Sequence, residues 1–447
     1  MKNKNGTMDL TVGRPITQLL FFSIPLVLGT LFQQLYSFVD TVMVGRLIST
    51  DALAAVGATY SLHFLILGFV QGSCVGFGIS LAQAVGANES KEFKRYYWNG
   101  IWLCIIIAAV MTIITLFGAD WLLRLIQTPD DIFDGASIYI KVIFLGIPAS
   151  ILYNFSSSAL RAAGDSKHPF YFLLFSSFLN IALDYVCIVP LNLGVAGAAI
   201  ATVISQLISG LLNLYWLTVK TDFVSDSRAE RRFSSFHIKR LCIVGFPMGF
   251  EYSVSAIGAV VMQSAINTLG SIAVAGQTAG EKIRQMFTLP MESVGMGMAT
   301  YAGQNDGAKR PDRIKQGIRA GLTIQWTYCI AAWIIIFFGK KPFTPLVLGS
   351  AESPEALLSI QYLTLISTLF CIHGALMIFR NTLQGMGYSL HAVLSGVGEL
   401  VGRSIGGFLA VSGAGFVAIC YSNPLAWGFA LIYCIVMVAY FIKKKYN

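Results

Sequence analysis

In the run FLNIALDYVCIVP, residues 178–190, two polar side chains interrupt an otherwise apolar stretch: Asn180 and Asp184. Four residues apart, they share one face of a helix. A second carboxylate, Asp40, stands in YSFVDTVMVG at 36–45, and no Lys or Arg occurs between residues 15 and 45 to neutralise it. A charged carboxylate in hydrocarbon costs about 2.5 kcal/mol or more. Such a group is protonated, paired or bound to a cation, unless it sits at a helix end and meets water. Thr202, in AAIATVISQ, adds a hydroxyl. Carboxylate, amide and hydroxyl oxygens are hard ligands of the kind Na⁺ prefers, by analogy with other hard cations, and carboxylates also take protons. Tyr36, one turn before Asp40, is placed to donate to it. For Asn180 and Thr202 the structural alternative is hydrogen bonding between helices.

The elements that carry these residues are those of a membrane protein. The chain has 447 residues, 55% of them hydrophobic and only 12% charged, with a mean hydropathy of +0.68. A soluble chain of this size needs more charge to cover its surface. Runs of about 20 apolar residues recur from end to end, the length that spans a bilayer as a helix. Twelve spans are expected, near 17–44, 53–82, 98–118, 137–160, 169–190, 194–219, 241–268, 273–302, 318–338, 356–383, 391–410 and 424–442; the stretch 411–424 is ambiguous. Pro148 and Pro290 fall inside spans and predict kinks, static or moving. The eight cysteines are scattered through apolar segments with no CxxC and no Cys/His cluster, so they are expected to be free packing residues.

Charge sets the orientation. Most of the 31 Lys and Arg lie in 2–14, 91–95, 161–167, 220–240, 309–319 and 443–445, which are alternate loops plus both ends; the opposite loops hold only Arg46, Arg124, Lys340 and Lys341. The positive-inside bias puts both termini in the cytoplasm of a multi-pass protein, with the plasma membrane as the expected location. It also accounts for most of the net +9 without a nucleic-acid partner. The first residues, MKNKNGTMDLTVGRPITQLL, lack an h-region with a small-residue cleavage site and read as a cytoplasmic leader. With helices one and five running outward and six inward, Asp40, Asn180, Asp184 and Thr202 all fall in the outer half of the membrane.

The chain repeats itself. At a shift of 223, Tyr139 meets Tyr362, Ile143 meets Ile366, Leu160 meets Leu383, Gly164 meets Gly387, Ser166 meets Ser389 and His168 meets His391; at 222, Pro25 meets Pro247. The expected architecture is all-α: a six-helix bundle at 1–219, a cytoplasmic linker at 220–240 and a second six-helix bundle at 241–447. Six is even, so the bundles share one orientation, related by a pseudo-twofold along the membrane normal, with a substrate cleft between them. Under the same shifts Asp40 becomes Met262, Asn180 becomes Arg403, Asp184 becomes Gly407 and Thr202 becomes Leu425, so the polar cluster is not duplicated.

These segments carry a resemblance. SIPLVLGTLFQQLYSFVDTVMVGRL at 23–47 followed by ALAAVGA is similar to the first-helix region of the multidrug and toxic compound extrusion (MATE) family. ALRAAGDSKHPF and LNIALDYVCI resemble its fourth-to-fifth helix region, AGQNDGAKRPDR at 302–313 its loop after helix eight, and SGVGELVGRSIGG at 395–407 its helix eleven. The resemblance spans nearly the whole chain and is to the branch with a first-helix aspartate. It implies an alternating-access exporter of amphipathic, often cationic compounds, driven by inward H⁺ or Na⁺. Asp40, Asn180, Asp184 and Thr202 match that branch's ion or proton site. Tyr36, Asp40, Asp184 and Glu251 are the candidate substrate contacts. Glu251 resembles a helix-seven carboxylate of another branch, which also carries a helix-ten aspartate where this chain has His373. The implied partners are small-molecule drugs and organic cations within a lipid bilayer, no cofactor beyond the coupling ion is implied, and a monomer is expected.

Other charged residues bear on rival functions. Glu399 and Arg403 are four apart and read as an ion pair. Lys282 and Arg284 pair with Glu281 or Glu292, or line the cleft; with Arg380 they keep open the alternative of a lipid-linked oligosaccharide flippase of the same superfamily. No P-loop, metal cluster or nucleophile–base pair is present to support an enzyme. The charge bias yields a direct check. A cysteine replacing Arg232 is expected to react with a membrane-impermeant thiol reagent only in permeabilised cells, above the background of the native cysteines; labelling of intact cells overturns the orientation.

Overall fold

The computed structural model describes residues 7–221, 223–224, 229–349 and 352–446; residues 222 and 225–228 of the expected linker lie outside them. Among the described residues all regular structure is helical. The helices are α1 (Pro15–Leu47), α2 (Thr50–Ala58), α3 (Tyr60–Gly86), α4 (Ser90–Leu125), α5 (Asp130–Leu145), α6 (Ile147–Ala162), α7 (Lys167–Ile188), α8 (Gly194–Tyr215), α9 (Ser235–Asn267), α10 (Ser271–Gly307), α11 (Pro311–Leu348), α12 (Pro354–Ser367), α13 (Phe370–Gly385), α14 (Ser389–Leu409) and α15 (Gly415–Tyr446).

Among the described residues, seven helical segments are long and apolar enough to cross a membrane, and two bent pairs, α5–α6 and α12–α13, raise this to nine. One of the seven, Ser389–Tyr446, contains both α14 and α15. α9 and α10, of 33 and 37 residues, are also long enough to cross, and α10 is the more polar of the two. About twelve helices are therefore consistent with the structure, although length and apolarity alone do not return that number. Three span boundaries are corrected. The expected span 53–82 is divided at Thr59 into α2 and α3, and Ser49 caps the former by accepting from the Ala52 N–H at 3.0 Å. The span 137–160 is bent by 46° around Gly146, with Pro148 in the first turn of α6, where its missing N–H costs no hydrogen bond. The last helix begins at Gly415 rather than near 424, after Gly413 and Gly415 take φ of +117° and +59°; these left-handed values suit glycine, so the ambiguous stretch is a break and not a loop.

The internal repeat has a structural counterpart. α12–α13 is bent by 52°, matching the bent α5–α6, and each pair ends at a glycine with positive φ, Gly164 at +90° and Gly387 at +84°. A Cβ on Gly164 would lie 2.1 Å from the Met8 carbonyl oxygen, and the Met8 N–H donates to the Gly164 carbonyl at 2.9 Å, so no larger residue fits that turn.

The chain forms two compact units. One holds Leu28–Tyr252 with the chain up to Asp9; the other holds Leu10–Val27 and Ser253 onward. The division runs through α1 and α9, not through the 220–240 segment. In the first unit, large apolar side chains such as Ile113 and Phe117 are exposed while Asn99, Asn180 and Asp184 are buried. Phe408 is exposed and Gln304, Asn305 and Glu399 are buried in the second. That inverted distribution suits a lipid surround.

Glycine pairs set the closest helix approaches, as in membrane helices generally. In the first unit Gly72 and Gly76 of α3 face Gly245 and Gly249 of α9: a Cβ on Gly72 would be 2.4 Å from the Met248 carbonyl oxygen, and one on Gly76 would be 2.5 Å from the Gly245 Cα. In the second, Gly402 of α14 would meet the Ala426 backbone of α15 at 2.5 Å. Backbone cannot yield as a side chain does. Gly72→Val and Gly402→Val are each expected to destabilise the purified protein by about 1–3 kcal/mol or more, read as a lowered thermal unfolding temperature in detergent. Gly428→Ala, where a Cβ meets nothing within 4 Å, should leave it unchanged.

Candidate functional site

All four expected coupling residues lie in the first unit, and helix register brings them together. α1 and α7 run parallel: a Cβ on Gly29 would touch Leu173 at 3.3 Å, and eleven residues further along both helices Asp40 and Asp184 are neighbours. Tyr36 and Asn180, one turn back on each helix, line a pocket beside the pair. α8 runs antiparallel to α7, with Gly197 against Cys187 near one end and Trp216 stacked on His168, 3.8 Å between ring centroids, at the other. This delivers Thr202 to the pocket.

α6 follows α8 because of the bend at Gly146. A Cβ there would lie 2.3 Å from Val203 Cγ2, next to Thr202, and a Cβ on Gly210 would lie 2.9 Å from the Tyr153 nitrogen. The bend thus places Tyr153 on the pocket wall. The pocket holds about 30 Å³ of space for the centre of a water-sized molecule, enough for water or a small cation. Its polar lining also includes Gln33, Ser176, Ser177, Ser205, Gln206 and Ser209.

The electrostatics are unusual for a buried site. Asp184 is fully buried and neither of its carboxylate oxygens has a hydrogen-bond partner; Asp40 Oδ1 and both polar atoms of Asn180 are likewise unpartnered. Among the described residues neither aspartate makes an ion pair. The titratable groups facing the pair are Tyr36 of α1, Tyr139 of α5 and Cys187 of α7, none of them a cation at neutral pH. Two carboxylates side by side without countercharge cannot both stay ionised and empty. Hard oxygens, a neutral amide and a hydroxyl around them fit a proton or Na⁺. Among the described residues no group of three or more His, Cys, Asp or Glu side chains could hold a metal ion, so the donor set is not that of a transition metal.

Sequence reasoning missed Tyr139 and the serines of α7 and α8. The serines were readable: Ser205 and Ser209 continue the face of Thr202 at helical spacing. Tyr139 was not, because only the folded α5 brings it beside the aspartates.

The second-half candidates belong elsewhere. Glu251 of α9 does not line the pocket, and both it and Glu292 have partners of their own. The second unit holds a buried polar network. Arg284 Nε donates to Glu281 at 2.8 Å, Tyr362 donates to the same carboxylate at 2.6 Å, and Asn423 donates to the Tyr362 hydroxyl at 3.4 Å. Arg403 donates to Asn423 at 3.2 Å and to Glu399 at 3.2 Å, and Glu399 also accepts from Arg380. The expected Glu399–Arg403 pair therefore forms, enlarged by Arg380, and Arg284 takes Glu281. His373 stacks on Trp427 at 4.6 Å, with both ring nitrogens unpartnered. All eight cysteines are free.

Comparison with known proteins agrees with this architecture. The MatE family model matches residues 25–186 and again 247–405, so its two copies start one repeat shift apart. The chain is 29% identical over 376 residues to the probable multidrug resistance protein YoeA of Bacillus subtilis, covering 82% of this chain and 80% of that one. It is 26% identical over 383 residues to the probable multidrug resistance protein NorM of Thermotoga maritima, covering 83% and 81%. An outward-facing multidrug resistance MATE transporter of the MOP superfamily superposes with a TM-score of 0.92 at 22% identity, over 99% of each chain. Two family-model matches that between them take in most of the chain place it plainly: it belongs to the MatE family, whose members are multi-pass membrane transporters and not enzymes.

Proposed function

We propose that the protein is a secondary active multidrug efflux antiporter of the plasma membrane, with both termini cytoplasmic, that exports amphipathic organic cations in exchange for H⁺ or Na⁺ by alternating access. The observation that carries this reading is the buried Asp40–Asp184 pair, unpartnered by any basic side chain and flanked by Asn180 and Thr202. It supports assignment to the branch of the family with a first-helix aspartate. The flippase alternative drew on Lys282, Arg284 and Arg380, and of these Arg284 and Arg380 are engaged with carboxylates.

The coupling follows from electrostatics. With no cation on board, the pair is a concentration of negative charge and a binding partner for an organic cation. A proton or Na⁺ arriving from outside neutralises it, weakens that attraction and allows α1 to repack against α7 and α8. A ligand shifts a conformational equilibrium only by its difference in affinity for the two states; carrying it from 1:99 to 99:1 takes about 5.5 kcal/mol. Two buried carboxylates relieved together are a source of that scale, because each is costly when empty. Glu251 is the next candidate for substrate contact.

Efflux from vesicles with the Na⁺ and pH gradients imposed separately tests the reading. One of the two gradients is expected to drive export. Asp40→Asn and Asp184→Asn should each lower gradient-driven export about tenfold or more at unchanged expression, and Asp40→Asn should abolish the weakening of organic-cation binding by low pH or Na⁺. Wild-type transport by both variants excludes the pair as the coupling site.

A further inference from the structure

The pocket lined by Asn180, one helical turn from Asp184, continues along α8 through Ser205 and Ser209 toward the end of that helix that the proposed orientation makes cytoplasmic. Ser205, Ser209, Asn213 and Trp216 follow Thr202 along one helix face, and from Thr202 to Trp216 the helix rises about 21 Å. Ser205, Ser209 and Asn213 are buried, and the Ser205 and Ser209 hydroxyls, Asn213 Oδ1 and Trp216 Nε1 have no hydrogen-bond partner. The usual fate of a helical serine is to donate back to a carbonyl one turn earlier. Ser176 and Ser177 of α7 do so, both to the Leu173 carbonyl, at 2.9 and 2.8 Å. Ser205 and Ser209 instead point away from their own helix into the pocket they share with Asn180. Buried polar groups without protein partners are normally met by water or an ion.

The row has a defined inner end. Trp216 stacks on His168, and His168 bonds Asp165 at 2.6 Å in the basic turn that precedes α7. The His168 side chain is 21% exposed, so this end of the row is not sealed by protein. At the repeat shift that takes Thr202 to Leu425, Ser205 becomes Gly428, Ser209 becomes Ile432, Asn213 becomes Val436 and Trp216 becomes Ala439. The fold does not require a polar face here; the half that has the aspartate pair has one, and the other half does not.

We propose that the polar face of α8 from Thr202 through Ser205, Ser209 and Asn213 to the Trp216–His168 stack is a hydrated path by which the coupling cation leaves the Asp40–Asp184 pair for the cytoplasm. The proposal rests on the coupling role of that pair. Hydroxyls both donate and accept, so with intervening water they carry a proton, and their oxygens can also ligate Na⁺ in transit. The seam contains no carboxylate beyond the pair itself until Asp165, so a cation released into it meets no second deep trap.

The test uses the full-length protein in proteoliposomes with a fluorescent organic cation as probe. Ser205→Val/Ser209→Val fills the seam with methyl groups and is expected to slow gradient-driven export about tenfold. Equilibrium binding of the probe is read in the same preparations, and the loss of export rate is expected to exceed any loss of binding. Ser205→Ala/Ser209→Ala removes both hydroxyls without adding volume and serves if the valine variant fails to fold; its export should fall about threefold. Wild-type export rates in the folded variants overturn the path. In the same preparations Asp40→Asn reports on the pair separately: if its probe binding remains cation-dependent, the coupling role itself fails, whatever the seam variants do.

Discussion

Everything about the first unit turns on one constraint: two carboxylates buried against each other with no positive side chain to share their charge. Such an arrangement is unstable unless something from outside the chain completes it. The parallel register of α1 and α7 creates the pair, and the antiparallel return of α8 supplies Thr202. The bend at Gly146 lets α6 follow α8 and close the pocket with Tyr153. A glycine lies at each of these helix contacts, so the site is positioned by helix packing rather than by a loop.

The sequence made the class and most of the architecture legible, because hydropathy, charge asymmetry and an internal shift are properties of whole segments. It was weaker where a single residue decides local geometry. The division at Thr59 and the break at Gly413 and Gly415 depend on backbone dihedrals that a hydropathy pattern does not encode. The polar cluster was legible because Asp40, Asn180 and Asp184 are chemically out of place in apolar runs. Tyr139 escaped because a tyrosine in a membrane helix is ordinary until its neighbours are known. The division of the chain within α1 and α9 was equally hidden, since residues 10–27 read as part of the first half while their packing partners lie in the second unit.

The second unit has buried charge too, and its treatment is the instructive contrast. There the charges are closed into a network: Glu281 with Arg284 and Tyr362, and Glu399 with Arg380 and Arg403. A network in which each carboxylate has a guanidinium specifies packing and does not wait for a ligand. Its arginines are therefore poor evidence for an anion-binding cavity, which is why their number alone, as counted in the sequence, pointed toward a rival substrate class.

The repeat allows the two solutions to be compared position by position. At a shift of 223, Ser176 corresponds to Glu399 and Asn180 to Arg403. In the second unit that place in the fold is filled by a carboxylate and a guanidinium bonded to each other, with Asn423 satisfying the remaining donor. In the first unit the same place holds a serine and an unpartnered amide beside Asp184. One half thus carries a cation covalently at this place, as an arginine side chain, and the other has none there. A covalent cation makes the helix contact permanent; an exchangeable one makes it conditional on occupancy. The two segments matched by the family model have thus diverged at this place, one to a closed ion network and the other to unpartnered polar groups, and only the second leaves a position for the exchangeable ion that the proposed function requires.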